Sequence, residues 1–315
     1  MDEFLQQRAQ CVASHAGLYC ILPEWMAATV SAVNAGLALG PEARAWRELG
    51  IAADHGDGDG GESRAPRYEV ANGVALISMS GPMMKGRSKF PHANTIQVRR
   101  AIRAAVKSPA VDGIMLLVDS PGGTVAGTDE LARDIELAGQ AKPFRVHADD
   151  LMASAAVWAT ATAERITASQ TTEVGSIGTI LVVQDTSEFL AQKGVKVHVV
   201  STGAMKGAGA EGAPVTDEQL RMLGDRVANV NAHFVNAMQS GRRLTNRQLE
   251  AVSDGRVFIA SRALELGLID AVMSADDAVA SFRRSLTARR RSRANRQAIA
   301  AAARAMESRS RIEGA

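Results

Sequence analysis

Residues 149–180 read DDLMASAAVWATATAERITASQTTEVGSIGTI, and the rest of the chain is best understood from this stretch outward. The apolar residues just before it, 144–148, predict a strand. Residues 153–163 are rich in Ala and contain no Gly or Pro, which predicts a buried helix. Ser154 lies at the turn between these two elements, where backbone N–H groups are unpaired and the helix dipole is positive. This position suits a nucleophile, but an isolated serine there is most often an ordinary N-cap.

Strands and helices alternate along most of the remaining chain. Upstream, a hairpin is predicted over residues 68–79 because Asn72-Gly73 is a strong turn signal. The apolar run VDGIMLLV, residues 111–118, is typical of a strand that is covered on both faces. Further strands are predicted at 165–168, 179–184, 195–201 and 255–259, and helices at 95–108, 125–139, 186–193, 217–240, 246–251 and 261–266. The alternation predicts an α/β layered fold with mainly parallel strands.

The two ends of the chain differ from its centre. Residues 1–53 have apolar residues at helical spacing and predict a helical N-terminal segment. Residues 54–66 are rich in Gly and Asp and predict a flexible linker. Residues 283–315 contain ten Arg and two Glu, a balance of +8, so the rest of the chain has a net charge of 2 − 8 = −6. The sequence therefore predicts a main domain over 67–282 and a basic tail over 283–315 that is partly helical or disordered.

Composition excludes several classes of protein. A hydrophobic content of 46% with 22% charged residues is that of a globular domain. No apolar run approaches the roughly 18–20 residues that span a bilayer, and the first residues, MDEFLQQRAQ, lack the pattern of a signal peptide. Cys11 and Cys20 indicate neither a disulfide framework nor a metal site. We therefore expect a soluble cytoplasmic protein with no cofactor, no metal and no membrane contact.

Ser154 needs partners if it is to act as a nucleophile. In DSPGG, residues 119–123, two glycines follow a buried strand, and their N–H groups can be turned toward a ligand as an oxyanion site requires. A base is harder to find, because His147, His198 and His233 fall within strand or helix patterns and are interpreted as structural.

Lys206 is the remaining candidate base. It stands alone in a loop of small residues, GAMKGAGAEG. A lysine on a surface loop is normally solvated and inert, and it becomes a useful base only where removal from water favours the neutral amine. Small neighbours permit such burial without supplying a carboxylate that would hold the charge.

Four motifs taken together, DSPGG, MASAA, EVGSIGTI and STGAMK, resemble the signal peptide peptidase A family of Ser-Lys peptidases. The resemblance extends over residues 67–274 and implies a crotonase-like fold related to the Clp protease. It implies that Ser154 is the nucleophile and Lys206 the general base, and that Ser176 hydrogen-bonds the lysine amine. The predicted main domain is thus identified as a Ser-Lys peptidase domain.

The same resemblance implies an oxyanion hole made of the backbone N–H groups of Gly123 and Ala155. One departure from the family pattern is Ala155-Ala156, where many members have Gly-Gly. Because the oxyanion donor is a backbone group, the change should be tolerated.

Within this family the chain looks most like the capsid assembly proteases of lambda-type phages. That resemblance implies a serine endopeptidase that processes capsid, portal or scaffold proteins in the host cytoplasm or the prohead interior. It also implies a homo-oligomeric ring in which neighbouring subunits can share an active site. The Arg-rich tail is then either a scaffold remnant or a solvated extension, and without interleaved aromatic residues no nucleic-acid site is predicted.

Three alternatives stay open at this point. One is a cellular peptidase that degrades signal peptides, against which the lack of a membrane anchor counts. Another is a catalytically inactive crotonase-like scaffold that only organises capsid subunits. The third is a CoA-binding crotonase, for which the spacing of Ser154 and Lys206 would be a coincidence.

Overall fold

The computed structural model describes residues 19–21, 67–86 and 92–313. Its strands are β1 (Tyr19–Ile21), β2 (Glu69–Ala71), β3 (Val74–Ser80), β4 (Met83–Met84), β5 (Ala93–Asn94), β6 (Gly113–Ser120), β7 (Gly122–Thr124), β8 (Phe144–Ala153), β9 (Arg165–Ala168), β10 (Glu173–Gly175), β11 (Val257–Ile259) and β12 (Ala271–Val272). Its helices are α1 (Thr95–Lys107), α2 (Thr128–Ala141), α3 (Ala155–Thr160), α4 (Ser187–Gln192), α5 (Asp217–Arg242), α6 (Asn246–Val252), α7 (Ala260–Glu265) and α8 (Ala275–Glu313).

The central sheet is built around β8. Its strand order is β11-β10-β8-β6-β3-β2, and β9 pairs with both β8 and β12. Strands β3, β6, β8 and β10 are parallel, whereas β2 and β11 pair antiparallel at the two ends of this order. On the edge opposite β6, β8 pairs first with β9, over residues 145–148, and then with β10, over residues 151–153. The predicted α/β layered fold with mainly parallel strands is therefore confirmed.

A second, smaller sheet has the order β1-β7-β4-β5. It starts where β6 ends, because the pairing of β6 with β8 shifts register between Val118 and Ser120. Gly122 then has a φ of 93°, which lets the chain turn directly into β7. The DSPGG motif is therefore the joint between the two sheets.

Apolar side chains on the two faces of the central sheet enter two separate cores. Leu116 of β6 lies in the main core, together with residues of α1, α2, α3 and α5. Met115, its neighbour in the strand, packs with Phe282 and Leu286 of α8 on the opposite face. Successive side chains of a strand point to opposite faces, so the continuous apolar run of residues 111–118 reflects a helical layer on each side, as predicted.

Local turn and capping signals are also confirmed. Strands β2 and β3 form the predicted hairpin, and Asn72 and Gly73 at its turn have φ values of 53° and 82°. Thr216 accepts a hydrogen bond from the Gln219 N–H at the start of α5, and the two residues form a capping box. In these places the conformation depends on neighbouring residues alone, which is why the sequence predicts it.

Two predicted strands are absent from the described structure. Residues 179–184 form no strand, and Ile180 alone makes a bridge, to Tyr19. Residues 195–201 form no strand either, and Val200 is 97% exposed. Both segments have the composition of a strand, but among the described residues neither pairs with a neighbouring strand over more than one residue, and an unpaired strand is not stable in water. These two predictions are wrong.

The ends of the chain also differ from expectation. The helical prediction for residues 1–53 is wrong for the three residues described there, because Tyr19–Ile21 form a strand. The rest of that segment and the predicted linker, 54–66, lie outside the described residues. At the other end, α8 runs without a break through residue 283, where the sequence predicts a boundary. The helix that covers the sheet and the start of the basic tail are one element.

Ion pairs attach the basic part of α8 to the domain. Arg289 pairs with Glu164 at 2.6 Å, and Arg290 pairs with Asp112. Beyond these contacts the described side chains of α8 are exposed. Among the helices that the structure describes, neither α8 nor any other has the combination of length and apolar character that crossing a bilayer requires.

Candidate active site

Ser154 lies in a strained turn between β8 and α3. Its φ and ψ are 53° and −116°, a region that residues other than glycine seldom adopt and that costs about 1–3 kcal/mol. The turn is held from both sides, because the Ser154 N–H donates to the Gly175 carbonyl at 2.8 Å and the Ser154 carbonyl accepts from the Trp158 N–H at 3.0 Å. A strained strand-to-helix turn of this kind is how hydrolases of another fold present a nucleophilic serine.

The Ser154 hydroxyl makes no hydrogen bond within the described part of the chain. The residue is 1% exposed, and Oγ is buried without a partner among the described residues. It does not cap α3, so the ordinary N-cap role does not apply here. Leaving a buried hydroxyl unpaired costs about 1–3 kcal/mol. A cost of this size points to a functional position.

Ser176 lies beside Ser154 at the end of the neighbouring parallel strand. Ala153 of β8 is in register with Gly175 of β10. Ser154 directly follows Ala153, and Ser176 directly follows Gly175. Ser176 is buried, has a φ of 52°, and donates its N–H to the Arg256 carbonyl at 2.7 Å. The pairing of β8 with β10 thus brings the two serines together.

Strand β7 brings the glycine turn to the same place. Ser120, at the end of β6, is in register with Met152 of β8, and β7 packs against α3. A Cβ atom on Gly123 would lie 1.9 Å from the Met83 carbonyl oxygen, so only glycine fits between β7 and β4. The N–H of Ala155, in the first turn of α3, has no acceptor inside the helix. A backbone donor at the start of α3 is therefore available near the serine, whereas Gly123 faces Cys20 of β1 in the antiparallel register.

Lys206 is the one candidate residue that a single chain does not bring to this cluster. It lies in a turn-rich loop, its side chain is exposed, and its backbone N–H donates to the Gly203 carbonyl at 3.0 Å. Because Ser154 Oγ has no partner, the Lys206 amine is not within hydrogen-bond distance of it. The structure thus groups Ser154, Ser176, Gly123 and Ala155 and leaves the candidate base outside.

Lys206 belongs to a part of the chain that exposes apolar side chains, which we call the exposed segment, residues 181–220. Six large hydrophobic side chains of this segment are between 44% and 97% exposed, namely Val182, Phe189, Val195, Val199, Val200 and Leu220. An apolar surface of this kind, interspersed with polar residues, is typical of a site that contacts another protein. The exposed segment is therefore a candidate interface.

His147 has contacts that fit a structural role. It is fully buried in β8, with one ring nitrogen 2.9 Å from Thr167 Oγ1 and the other 3.3 Å from Ser169 Oγ. Burial lowers the pKa of the His147 imidazole, an effect that the charge of Asp149 partly opposes. The structural interpretation suits His147, whereas His198 and His233 are exposed and do not fit it.

A group of carboxylates lies where β6 and β8 run side by side. Burial raises the pKa of Asp119, and the charges of Asp150 and Asp149 raise it further, while a backbone hydrogen bond from Leu151 acts in the opposite direction. In the part of the chain that the structure describes, no group of three or more His, Cys, Asp or Glu side chains is placed to hold a metal ion.

Sequence reasoning missed one element next to the candidate site, the strand β1. Cys20 of β1 is in register with Gly123 of β7, and Tyr19 is buried. Burial raises the pKa of the Tyr19 phenol to about 12. A signal for this strand is present, because LYCIL, residues 18–22, is an apolar run bounded by Gly17 and Pro23. The apolar residues that follow have helical spacing, and this pattern favours a helix over the whole segment.

Comparison with known proteins agrees with the predicted resemblance. Residues 136–289 match Peptidase family S49. The chain is 29% identical to capsid assembly protease C of Escherichia phage lambda over 80% of its own length and 58% of that protein. It is 27% identical to protease 4 of Haemophilus influenzae over 69% of its own length and 35% of that protein. The ClpP protease catalytic domain of Plasmodium falciparum is similar with a TM-score of 0.42 and 11% identity, over 63% of this chain and 85% of that one.

The matched region contains the candidate site except Gly123, which precedes it. The chain spans between 35% and 58% of the length of the two relatives named above. The match to Peptidase family S49 includes Ser154, Ser176 and Lys206. The predicted resemblance to the signal peptide peptidase A family is therefore confirmed, and residues 136–289 of this chain match Peptidase family S49.

Proposed function

We propose that this protein is a serine endopeptidase in which Ser154 is the nucleophile. The observation that carries the proposal is the Ser154 side chain, which is buried in a strained turn and whose Oγ has no hydrogen-bond partner in the described structure. A serine with a purely structural role would use this hydroxyl to cap α3 or to bond a backbone carbonyl. The similarity to two proteins named as proteases supports the same reaction class.

We further propose that the base is Lys206 of a neighbouring copy of this chain. Within one chain the Lys206 side chain is exposed and the Ser154 hydroxyl is unpaired. A second copy that covers the exposed segment would bury its apolar side chains and would take the lysine amine out of water. Desolvation favours the neutral form of an amine, which is the form that can accept a proton. Ser176 would then hydrogen-bond the amine beside Ser154.

The proposed reaction proceeds through an acyl-enzyme. Neutral Lys206 Nζ takes the proton of Ser154 Oγ as this oxygen attacks the scissile carbonyl carbon. The resulting lysine ammonium gives that proton to the leaving amine as the C–N bond breaks. Lys206 then takes a proton from water, whose oxygen attacks the ester, and returns it to Ser154 Oγ. One peptide bond and one water molecule become a carboxylate product and an amine product.

Backbone groups stabilise the charge that develops in each step. The N–H of Gly123 and the N–H of Ala155 would donate to the carbonyl oxygen when it becomes negative. Donors that the fold holds in place need no reorganisation during the reaction, and removing one from such a site typically costs about 10²–10³ in rate. The close approach of Gly123 to Met83 supports a fixed position for the first donor, which would be free to bind substrate once Cys20 no longer faces it. The start of α3 fixes the second.

The natural substrates that we propose are phage proteins of the capsid, portal or scaffold type, cleaved during prohead assembly. The basis is the similarity to capsid assembly protease C of Escherichia phage lambda. The protein would then act in the host cytoplasm or inside the prohead, and formation of the shared site would restrict cleavage to assembled copies. The basic tail on α8 would lie on the outside of each subunit.

Two inactive variants test the shared site. Ser154→Ala and Lys206→Ala, each purified alone, should lose at least about 10²-fold of the hydrolysis of labelled casein, because each removes one member of the dyad. When the two are co-expressed, a site can combine Ser154 of one copy with Lys206 of the next. Random mixing in a ring should then restore about a quarter of the wild-type sites. Lys196→Ala and Ser201→Ala, which change exposed residues of the same segment, serve as matched controls and should remain active.

The possible results separate the alternatives. Activity in the mixture but in neither variant alone would establish a shared site. Active wild type with an inactive mixture would contradict sharing and leave the nucleophile intact. Equal and zero hydrolysis by wild type and Ser154→Ala, with assembly preserved, would favour the inactive scaffold instead.

A further inference from the structure

The strand β1 fills a slot between two backbone segments. On one side it pairs antiparallel with β7, with Tyr19 opposite Thr124 and Cys20 opposite Gly123. On the other side Tyr19 exchanges two hydrogen bonds with Ile180, from Tyr19 N–H to the Ile180 carbonyl at 3.0 Å and from Ile180 N–H to the Tyr19 carbonyl at 2.9 Å. A three-residue strand is thus paired along both of its edges.

The two walls of this slot are the segments that carry the candidate site. β7 contains Gly123, and Ile180 follows Ser176 by 180 − 176 = 4 residues. Helix α3, which begins directly after Ser154, packs against β1. Any polypeptide that occupies this slot in extended form therefore lies alongside the nucleophile and the proposed oxyanion donor.

Without β1, both walls would present unpaired N–H and C=O groups. Facing edges of this kind bind an extended peptide by main-chain hydrogen bonds. Such binding depends little on side-chain identity, as cleavage of several different proteins would require. The slot therefore has the chemistry of a peptide-binding groove, and a segment of the same chain is in it.

From this geometry we propose that Tyr19–Ile21 is a built-in competitor of substrate, and that a substrate peptide enters the slot only when β1 leaves it. The inference rests on the proposed peptidase function for its consequence, which is regulation of cleavage by the N-terminal segment. The segment is remote in sequence from both walls, so it can leave while β7 and Ile180 keep their places. The burial of Ser154 in the single chain fits a site closed in this way.

A binding measurement tests the proposal without requiring catalysis. The probe is a fluorescein-labelled peptide with the sequence of residues 15–24, HAGLYCILPE, followed by fluorescence anisotropy under reducing conditions. The full chain with Ser154→Ala is compared with Ser154→Ala/Tyr19→Pro, in which the N–H that bonds Ile180 is missing and β1 cannot pair. The probe should bind the second protein at least about tenfold more tightly. Ser63→Pro in the Ser154→Ala background is the matched control and should bind like the parent.

The same peptide with an N-methyl group on its tyrosine should bind at least about tenfold more weakly than the unmethylated probe, because it lacks the main-chain donor. Equal affinity of the probe for the parent and the Tyr19→Pro protein, or no binding to either, would overturn the proposal. Hydrolysis of casein by the wild type together with that result would leave the proposed function intact. Binding as expected, with no hydrolysis of casein by a Tyr19→Pro chain that keeps Ser154, would instead refute the function and keep the groove.

If the Tyr19→Pro protein does not fold, an engineered disulfide that holds β1 in the slot tests the same proposal. Tyr19 and Thr124 are directly opposite in the antiparallel register, at a separation that a disulfide can bridge. The chain with Tyr19→Cys and Thr124→Cys, and with Cys11 and Cys20 changed to Ser, holds β1 in the slot when oxidised. Casein hydrolysis, and binding of the probe with Ser in place of its cysteine, should both be at least about tenfold weaker in the oxidised form than after reduction of the same sample. No difference between the two forms would refute the inference.

Discussion

Two apolar runs of similar composition behave in opposite ways in this molecule. VDGIMLLV, residues 111–118, provides most of β6, and its Val118 is 1% exposed. VKVHVV, residues 195–200, forms no strand, and its Val200 is 97% exposed. β6 lies between β3 and β8 with a helical layer on each face, whereas residues 195–200 have no partner strand among the residues that the structure describes. An apolar run is therefore buried only where the fold supplies partners on its edges and faces.

The difference suggests that two parts of the chain have separate roles, one in holding the serine and one in contacting another copy. The parallel sheet and its helices are complete in a single copy and hold the serine in place. The exposed segment leaves large apolar side chains uncovered, and it contains Lys206. If the base is on the exposed segment, assembly and activity become the same event. The predictions below test this separation of roles.

The largest expected difference is in the free energy of unfolding. Leu116→Ala leaves a cavity between the sheet and its helices and should cost about 2–5 kcal/mol. Val200→Ala removes an apolar side chain that already faces water in the single chain, and should change the stability of the monomer by less than about 0.5 kcal/mol. Urea denaturation at a concentration where the protein is monomeric measures both values. Similar costs for the two variants would contradict the comparison.

A second variant addresses the exposed segment in the assembled protein. Val200→Glu places a charge on a surface that we expect to be covered by another copy, and burying an unpaired charge is costly. The dissociation constant for assembly should rise by at least about tenfold, and peptide hydrolysis should fall in parallel. Val70→Glu, at a residue of β2 that is also exposed, is the matched control. Analytical ultracentrifugation measures the dissociation constant, and an unchanged value for Val200→Glu would contradict the proposed interface.

Sequence alone predicts the parts of this fold that depend on near neighbours. The turn at Asn72-Gly73 and the cap at Thr216 follow from the chemistry of a few adjacent residues. The run at 111–118 predicts a strand that is buried on both faces, and the structure shows that strand. The motif around Ser154 identifies the turn, although β8 reaches Ala153 and α3 is shorter than its Ala-rich sequence suggests.

The failures have a common physical cause. Residues 179–184 and 195–201 look like strands, but pairing depends on what lies beside them in space, and no local pattern contains that information. The strand β1 shows the same cause in the opposite sense. Its sequence does not stand out as a strand, but it pairs with β7 and Ile180, which are about a hundred or more positions away. Lys206 is likewise not within hydrogen-bond distance of Ser154 Oγ in the single chain. What the sequence does not reveal is the set of contacts made over long range or between copies.

The smallest expected effect is on how the free energy of unfolding depends on pH, and it concerns a buried histidine of the central sheet. Burial lowers the pKa of His147 below its ordinary value of 6.5, so the unfolded chain binds a proton in a range of pH where the folded chain does not. Stability is therefore fully present above about pH 6.5 and is lost as the pH falls through the lower, folded-state value. His147→Gln should flatten the fall in unfolding free energy between about pH 7 and 5. His233→Gln, which removes an exposed histidine of α5, is the matched control and should leave the slope of the wild type in place. If instead both variants follow the wild-type curve, proton uptake by His147 contributes nothing to acid unfolding, and burial of this imidazole does not make the central sheet sensitive to pH.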